Sequence, residues 1–232
     1  MTLLISSVFP VVVIMIYLYY RDKYEKEPIR VLIRAFFGGV LAVFTTLIIV
    51  WPLHFFEDSF SGSISSALFQ SFFMAAIPEE LSKFIFLYWF IWKDKNFNEN
   101  FDGIIYAVFV SMGFACVENI LYVFEGGLEV ATARAITAVP AHAIFGIIMG
   151  YYFAHAKFQP NRKHKNLFKG VFLAIMGHGF YNFPLNYYSE IIDKHPEAAV
   201  LAVFLFTLFL VFLYIVGFRK IRKHSESSVF KG

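Results

Sequence analysis

Apolar residues gather in seven long runs, at about residues 3–20, 31–53, 67–92, 104–124, 135–155, 170–188 and 198–218, and short polar connections separate them. A helix needs about 20 mostly apolar residues to cross the hydrocarbon of a bilayer, so each run predicts one spanning helix. The first run has no basic residue before it and a charged stretch, 21–30, directly after it. It therefore reads as a retained anchor, not a cleaved leader. No connection is long enough to hold a folded domain and no fixed-period repeat stands out. The expected fold is all-α, a polytopic membrane helix bundle of about seven transmembrane helices forming a single domain over residues 1–232.

Composition agrees. With 59% hydrophobic and 16% charged residues and a mean hydropathy of +0.63, the chain lacks the polar surface to cover a water-soluble globule. The single cysteine, Cys116, lies inside an apolar run, which excludes an intrachain disulfide, a zinc ribbon or a redox cysteine pair. Sixteen of the twenty Lys and Arg fall in the connections 21–30, 93–101 and 157–169 and after Phe218, whereas the other connections hold only Arg134 and Lys194. The positive-inside rule then places the N-terminus outside and the C-terminus in the cytoplasm, as an odd number of spans requires. The basic loop NRKHK and tail RKIRKH read as topology determinants and anionic-lipid contacts. They call for no nucleic-acid partner.

Ionisable groups within a span cost several kcal/mol unless paired or hydrated, so they are functional candidates. Helix-forming run three holds Glu79, Glu80 and Lys83, run four Glu118 and Asn119, run five His142, and run six His178 and Asn182. At 1.5 Å per residue from the cytoplasmic end, Glu79, Glu118 and His142 come about 20 Å in, Asn182 about 18 Å and His178 about 12 Å. They can share one layer at or beyond the midplane. Glu79 with Lys83, and His178 with Asn182, are four apart and so lie on one helix face. Pro78 and Pro140 each remove a helical hydrogen bond beside these groups and predict a kink and a hydrated pocket. Ala138, Gly146 and Gly150 step through His142 at intervals of four and allow a close helix neighbour.

This set suits water activation, with a glutamate as general base, a histidine orienting the water and side-chain donors binding an oxyanion. Peptide hydrolysis is the natural reaction. The same Glu79, Glu80, His142 and His178 could instead hold zinc, although no HExxH motif is present. A proton or ion transporter using the same cluster is the alternative function. Haem ligation by the two histidines would leave the carboxylates beside them unused.

The combination EExxK (Glu79, Glu80, Lys83), then D-x-x-x-Y (Asp102, Tyr106) running into GFAxxEN (Gly113, Phe114, Ala115, Glu118, Asn119), then His142 and HGxYN (His178, Gly179, Tyr181, Asn182) resembles the PrsW family of bacterial intramembrane proteases. The match covers residues 75–185, about half the chain. It implies a multi-pass protein of the bacterial cytoplasmic membrane that makes the site-one cut of a single-pass anti-sigma factor on its extracytoplasmic side, within stress signalling. The pattern is also similar to the wider superfamily of CAAX prenyl proteases, with EExxxR, FxxxH and HxxxN. A lysine three residues after Glu80 stands for the arginine four after it, and Ala138 for the phenylalanine before the first histidine. Carrying the superfamily's roles over makes Glu79 the base, His142 the residue that orients water, and His178 with Asn182 the oxyanion donors. Glu80 and Lys83 would orient and balance charge, and Glu118 and Asn119 would support. The resemblance is read with no cofactor, zinc being the alternative.

Two residues stay outside this scheme. Asp102 suits the N-terminal dipole of its helix as a cap. Arg134, on a side with few basic residues, is expected to steer a substrate or to pair with Glu129.

Overall fold

The computed structural model describes the backbone of residues 1–22 and 25–225 and the side chains to residue 220, so Lys23 and most of the basic tail lie outside the described residues. Among the described residues every regular element is helical: α1 (Thr2–Arg21), α2 (Ile29–Val50), α3 (Ser63–Leu68), α4 (Ile77–Ile91), α5 (Asn100–Ile136), α6 (Ala138–Phe158), α7 (Lys163–Ile191) and α8 (Pro196–Ser225), with short irregular helices between them. All seven apolar runs are helical. Among the described residues four stretches are long and apolar enough to cross a membrane: Thr2–Arg21, Ile29–Ser59, Asn100–Phe158 and Pro196–Lys220.

Helices α5 and α6 form the centre. Residues 101–116 of α5 are buried without interruption, and α6 is nearly as enclosed. Around them pack α1 and α2 against α5, α7 against α6, and α8 against α7 and α6. The outer faces of α1, α2 and α8 expose Phe9, Phe37, Phe44, Ile48, Phe204 and Phe212. An apolar outer surface this extensive is what a lipid-facing bundle presents.

Small residues set how closely the central helices cross. A Cβ built on Gly39 would lie 1.8 Å from the carbonyl oxygen of Val110, and one on Gly113 would lie 1.9 Å from that of Phe36, so α2 and α5 touch backbone to backbone. Gly150 does the same for α6 against the carbonyl of Gly103 on α5, and Gly146 faces the Ser111 hydroxyl and the Ala107 carbonyl. The expected stripe through His142 is thus the face that α6 gives to α5.

Three irregularities differ from the simple spans. The third run divides into α3, a π-helical stretch Phe69–Ala76 and α4, and Pro78 stands at the second position of α4. Pro140 likewise stands in the first turn of α6. In α6 a first-turn proline removes a donor that has no intrahelical partner, whereas Pro78 lies where π-winding passes without a break into α4, with Ile77 N–H bonded to Phe72 O; each marks where regular α-winding begins. The third irregularity is at Gly127, where φ is 73° and ψ −160°. The chain turns there, and the residues beyond it, expected as a loop, are helical and fold back on α5.

Candidate active site

Four helices bring the polar residues together. On α4, Glu79, Glu80 and Lys83 share one buried face. The Lys83 ammonium donates to Glu80 Oε1 at 2.8 Å, to Glu79 Oε2 at 3.3 Å and to His142 Nδ1 at 3.2 Å. An ammonium has three N–H donors, and here each meets an acceptor. That complement explains how a lysine only 1% exposed is tolerated in the core. Its charge also lies 4.1 Å from the centre of the Phe114 ring, the aromatic residue of GFA.

The histidines are held in complementary fashion. His142 Nε2 lies 2.8 Å from Glu118 Oε2 and so donates its proton there, leaving Nδ1 as the acceptor for Lys83. His178 Nδ1 donates to Glu80 Oε1 at 2.9 Å and lies 3.9 Å from Glu79 Oε2. The ring of Phe145, three residues after His142, stacks on His178 with centroids 5.0 Å apart. The two imidazoles themselves meet edge to face at 5.2 Å.

Around this cluster opens a cavity of about 690 Å³. Glu79, Glu118, His142, His178 and Asn182 line it, and the lining does not include Glu80 or Lys83. Glu79 is therefore the α4 carboxylate that faces the cavity, and Glu80 with Lys83 forms the layer behind it. Met74 and Ala75 of the π-helical stretch, and Phe206 of α8, complete the apolar part of the wall.

The supporting residues have defined partners. Asn119 donates from Nδ2 to the carbonyl of Ser7 on α1 at 2.7 Å. Arg134 pairs with Glu118 at 2.9 Å, not with Glu129, and donates from Nε to Asn119 Oδ1 at 2.8 Å. Asp102 caps α5 as expected, accepting the N–H groups of Asn98 and Glu99 at 2.8 and 2.7 Å. Tyr106 donates to Glu27, so D-x-x-x-Y serves the far end of the bundle and does not reach the cavity. Sequence reasoning placed every cluster member but gave no partners to Phe145 or Ser7, which act through a ring face and a main-chain oxygen and carry no polar signature.

One atom of the cluster is unspent. Glu80 Oε2 is buried without a hydrogen-bond partner among the described residues. Glu79, Glu80, His142 and His178 each offer one donor atom, and these atoms lie within 4.8 Å of one another. Two carboxylates and two imidazoles are an ordinary donor set for zinc, so the residues present fit such an ion once the Lys83 ammonium, which now bonds three of them, moves aside.

The chain is similar to a known family over most of its length. The model of the "PrsW family intramembrane metalloprotease" matches residues 27–216. "Protease PrsW" of Oceanobacillus iheyensis is 34% identical over 231 residues, covering 99% of both chains. The protein of the same name from Geobacillus kaustophilus is 38% identical over 184 residues, covering 79% of this chain and 80% of its own. That of Bacillus subtilis is 32% identical over 219 residues, covering 94% and 93%. No solved structure shows a significant match.

Proposed function

Because the chain belongs to the PrsW family of intramembrane proteases, we propose that the cavity is where it hydrolyses a peptide bond of a single-pass membrane protein, with Glu79 as the general base. The observation that carries this reading is the division of the two glutamates. Glu79 faces the cavity while Glu80 is turned into the Lys83 and His178 contacts. One carboxylate can meet water and the other cannot.

In this reading Glu79 takes a proton from a water in the cavity as that water attacks the scissile carbonyl, and His142 orients the water. Lys83 keeps the charge of the carboxylate pair balanced throughout. The Asn182 amide donates to the developing oxyanion without needing to gain a proton. His178, whose Nδ1 is held by Glu80 and whose ring lines the cavity beside Asn182, is the second group proposed at the oxyanion. Zinc, where bound, would be held by Glu79, Glu80, His142 and His178 and would supply a Lewis acid for the carbonyl and an activated water.

Seven spans with the N-terminus outside and the C-terminus in the cytoplasm put the cavity on the extracytoplasmic half of a bacterial cytoplasmic membrane. An anti-sigma factor, a single-pass protein cut on that side, is the substrate class proposed. A transmembrane ion relay is less well supported. Residues 84–92, 107–117, 143–154 and 170–177, which run from the cluster toward the cytoplasmic ends of α4 to α7, contain no Asp, Glu, Lys, Arg or His. The ionisable chain enters the bundle from one side and stops.

The test is cleavage of reconstituted single-pass anti-sigma-like proteins by the wild-type chain and by Glu79→Gln, with new termini mapped by mass spectrometry. A cut near the extracytoplasmic border that disappears in the variant is the expected result. The same cut by both chains would sink the assignment of Glu79.

A further inference from the structure

The mechanism above gives no role to Arg134, which reaches the cavity wall from the segment beyond Gly127. Its guanidinium makes two hydrogen bonds and one ring contact. Nη2 lies 2.9 Å from Glu118 Oε2, Nε donates to Asn119 Oδ1 at 2.8 Å, and the group lies 4.2 Å from the centre of the Tyr122 ring. The same Glu118 oxygen accepts the Nε2–H of His142 at 2.8 Å.

A carboxylate tied to an imidazole through one oxygen can still turn about its terminal bond, and Glu118 borders a cavity whose water would compete for it. A planar guanidinium bound to two successive side chains of one helix has no such freedom. Asn119 is fixed in turn by the Ser7 carbonyl of α1. Arg134 therefore transmits the rigidity of the α1 and α5 contact to the one carboxylate that holds His142.

We propose that Arg134 is a positioning residue for the peptide hydrolysis proposed above, on which this inference rests: acting through Glu118, it holds His142 as the Nε2–H tautomer with Nδ1 turned toward Lys83 and the glutamate pair. Gly127 is the conformational condition for it. A backbone at φ 73° and ψ −160° is open essentially to glycine alone, and it is what sends residues 128–136 back over α5. Arg134, the one basic residue of residues 125–134, thus acts as a brace on a histidine and does not steer substrate.

Two readouts test this. The first needs no substrate: nitrogen-15 histidine spectra of the full chain in detergent, with the His142 signals assigned by their loss in His142→Asn. The wild type is expected to show His142 protonated at Nε2 only, Arg134→Met a mixture of tautomers, and Arg134→Lys a partial return toward wild type. The second is cleavage of the reconstituted single-pass panel. Arg134→Met and Glu118→Gln should each lower kcat about 10- to 100-fold, the usual cost of losing an outer partner of a functional histidine. KM should stay within about twofold, and the double variant should be no worse than either single one, as expected for residues acting as a unit. Unchanged His142 spectra in Arg134→Met would overturn the proposal. So would a rise in KM at constant kcat, which would make Arg134 a substrate contact, or losses that multiply in the double variant. If Glu79→Gln cleaves like the wild type, the protease site itself is misassigned, whereas the spectra still decide the link from Arg134 to His142.

Discussion

The ammonium of Lys83 lies 3.2 Å from Nδ1 of His142, a residue 59 positions away on another helix. This contact joins the glutamate helix to the histidine helix and gives the lysine its third acceptor. Its removal has a definite consequence. Lys83→Met leaves two carboxylates in the core with no ammonium between them, and breaking a buried pair from one side costs about 3–5 kcal/mol. The variant should unfold at a clearly lower temperature in detergent, and Glu80→Gln added to it should restore part of the loss. An unchanged melting midpoint in Lys83→Met would show that the ammonium is not the counter-charge.

Adjacent glycines on α2 should respond in opposite ways. A methyl on Gly39 would strike the main chain of α5, 1.8 Å from Val110 O, whereas one on Gly38 would meet side chains alone, the Phe90 ring at 3.0 Å and Phe86 Cβ at an ordinary 3.4 Å. A ring can shift by tenths of an ångström; a packed backbone cannot. Gly39→Ala is expected to cost about 1–3 kcal/mol or more through forced helix separation. Gly38→Ala should be near neutral, since alanine gains about 1 kcal/mol of helix propensity against a small steric cost. Equal stabilities in thermal unfolding would contradict the backbone contact.

The opposite end of the bundle should carry a pH dependence. Burial, and then the neighbouring Asp102 carboxylate, push Glu27 up from 4.5 to about 9. Burial likewise pushes Asp22 up to about 6. A raised folded-state value means that the fold keeps a proton which the unfolded chain releases. The stabilisation is thus complete below the unfolded value of 4.5 and is lost as pH climbs toward about 9. Melting temperature should fall across that window. Glu27→Gln, which mimics the protonated acid, should flatten the slope, and a variant curve parallel to wild type would refute the assignment.

Gly127→Ala isolates backbone geometry from packing. A Cβ there meets nothing within 4 Å, so its cost is conformational alone. About 1–3 kcal/mol of strain is expected, relieved by movement of the segment that carries Arg134. Cleavage by this variant should fall together with that of Arg134→Met. Full activity with an undisturbed His142 spectrum would show that the turn is not needed to place the arginine.

Much of this protein is legible in one dimension. Length and apolarity of the runs determine that they are helices, because no other feature of such a sequence lets main-chain polar groups leave water. The cost of burying charge singles out Glu79, Glu80, Lys83, Glu118, His142 and His178 before any fold is known. Helical spacing puts Lys83 under Glu79 and Glu80. Those inferences depend only on local chemistry and on a fixed rise per residue.

What the tertiary structure decided are the pairings between helices. That Glu80 takes His178 and Lys83 while Glu79 keeps the cavity depends on the rotation of α4 against α6 and α7. The π-helical stretch before Pro78 adds a phase shift to α4 that a regular-helix count cannot anticipate. The partner of Arg134 was hidden for the same kind of reason. Glu129 is near it in sequence, but Gly127 reverses the chain and brings Glu118 within 2.9 Å instead. Sequence specifies which groups must be satisfied in hydrocarbon; only the packed backbone specifies by which partner.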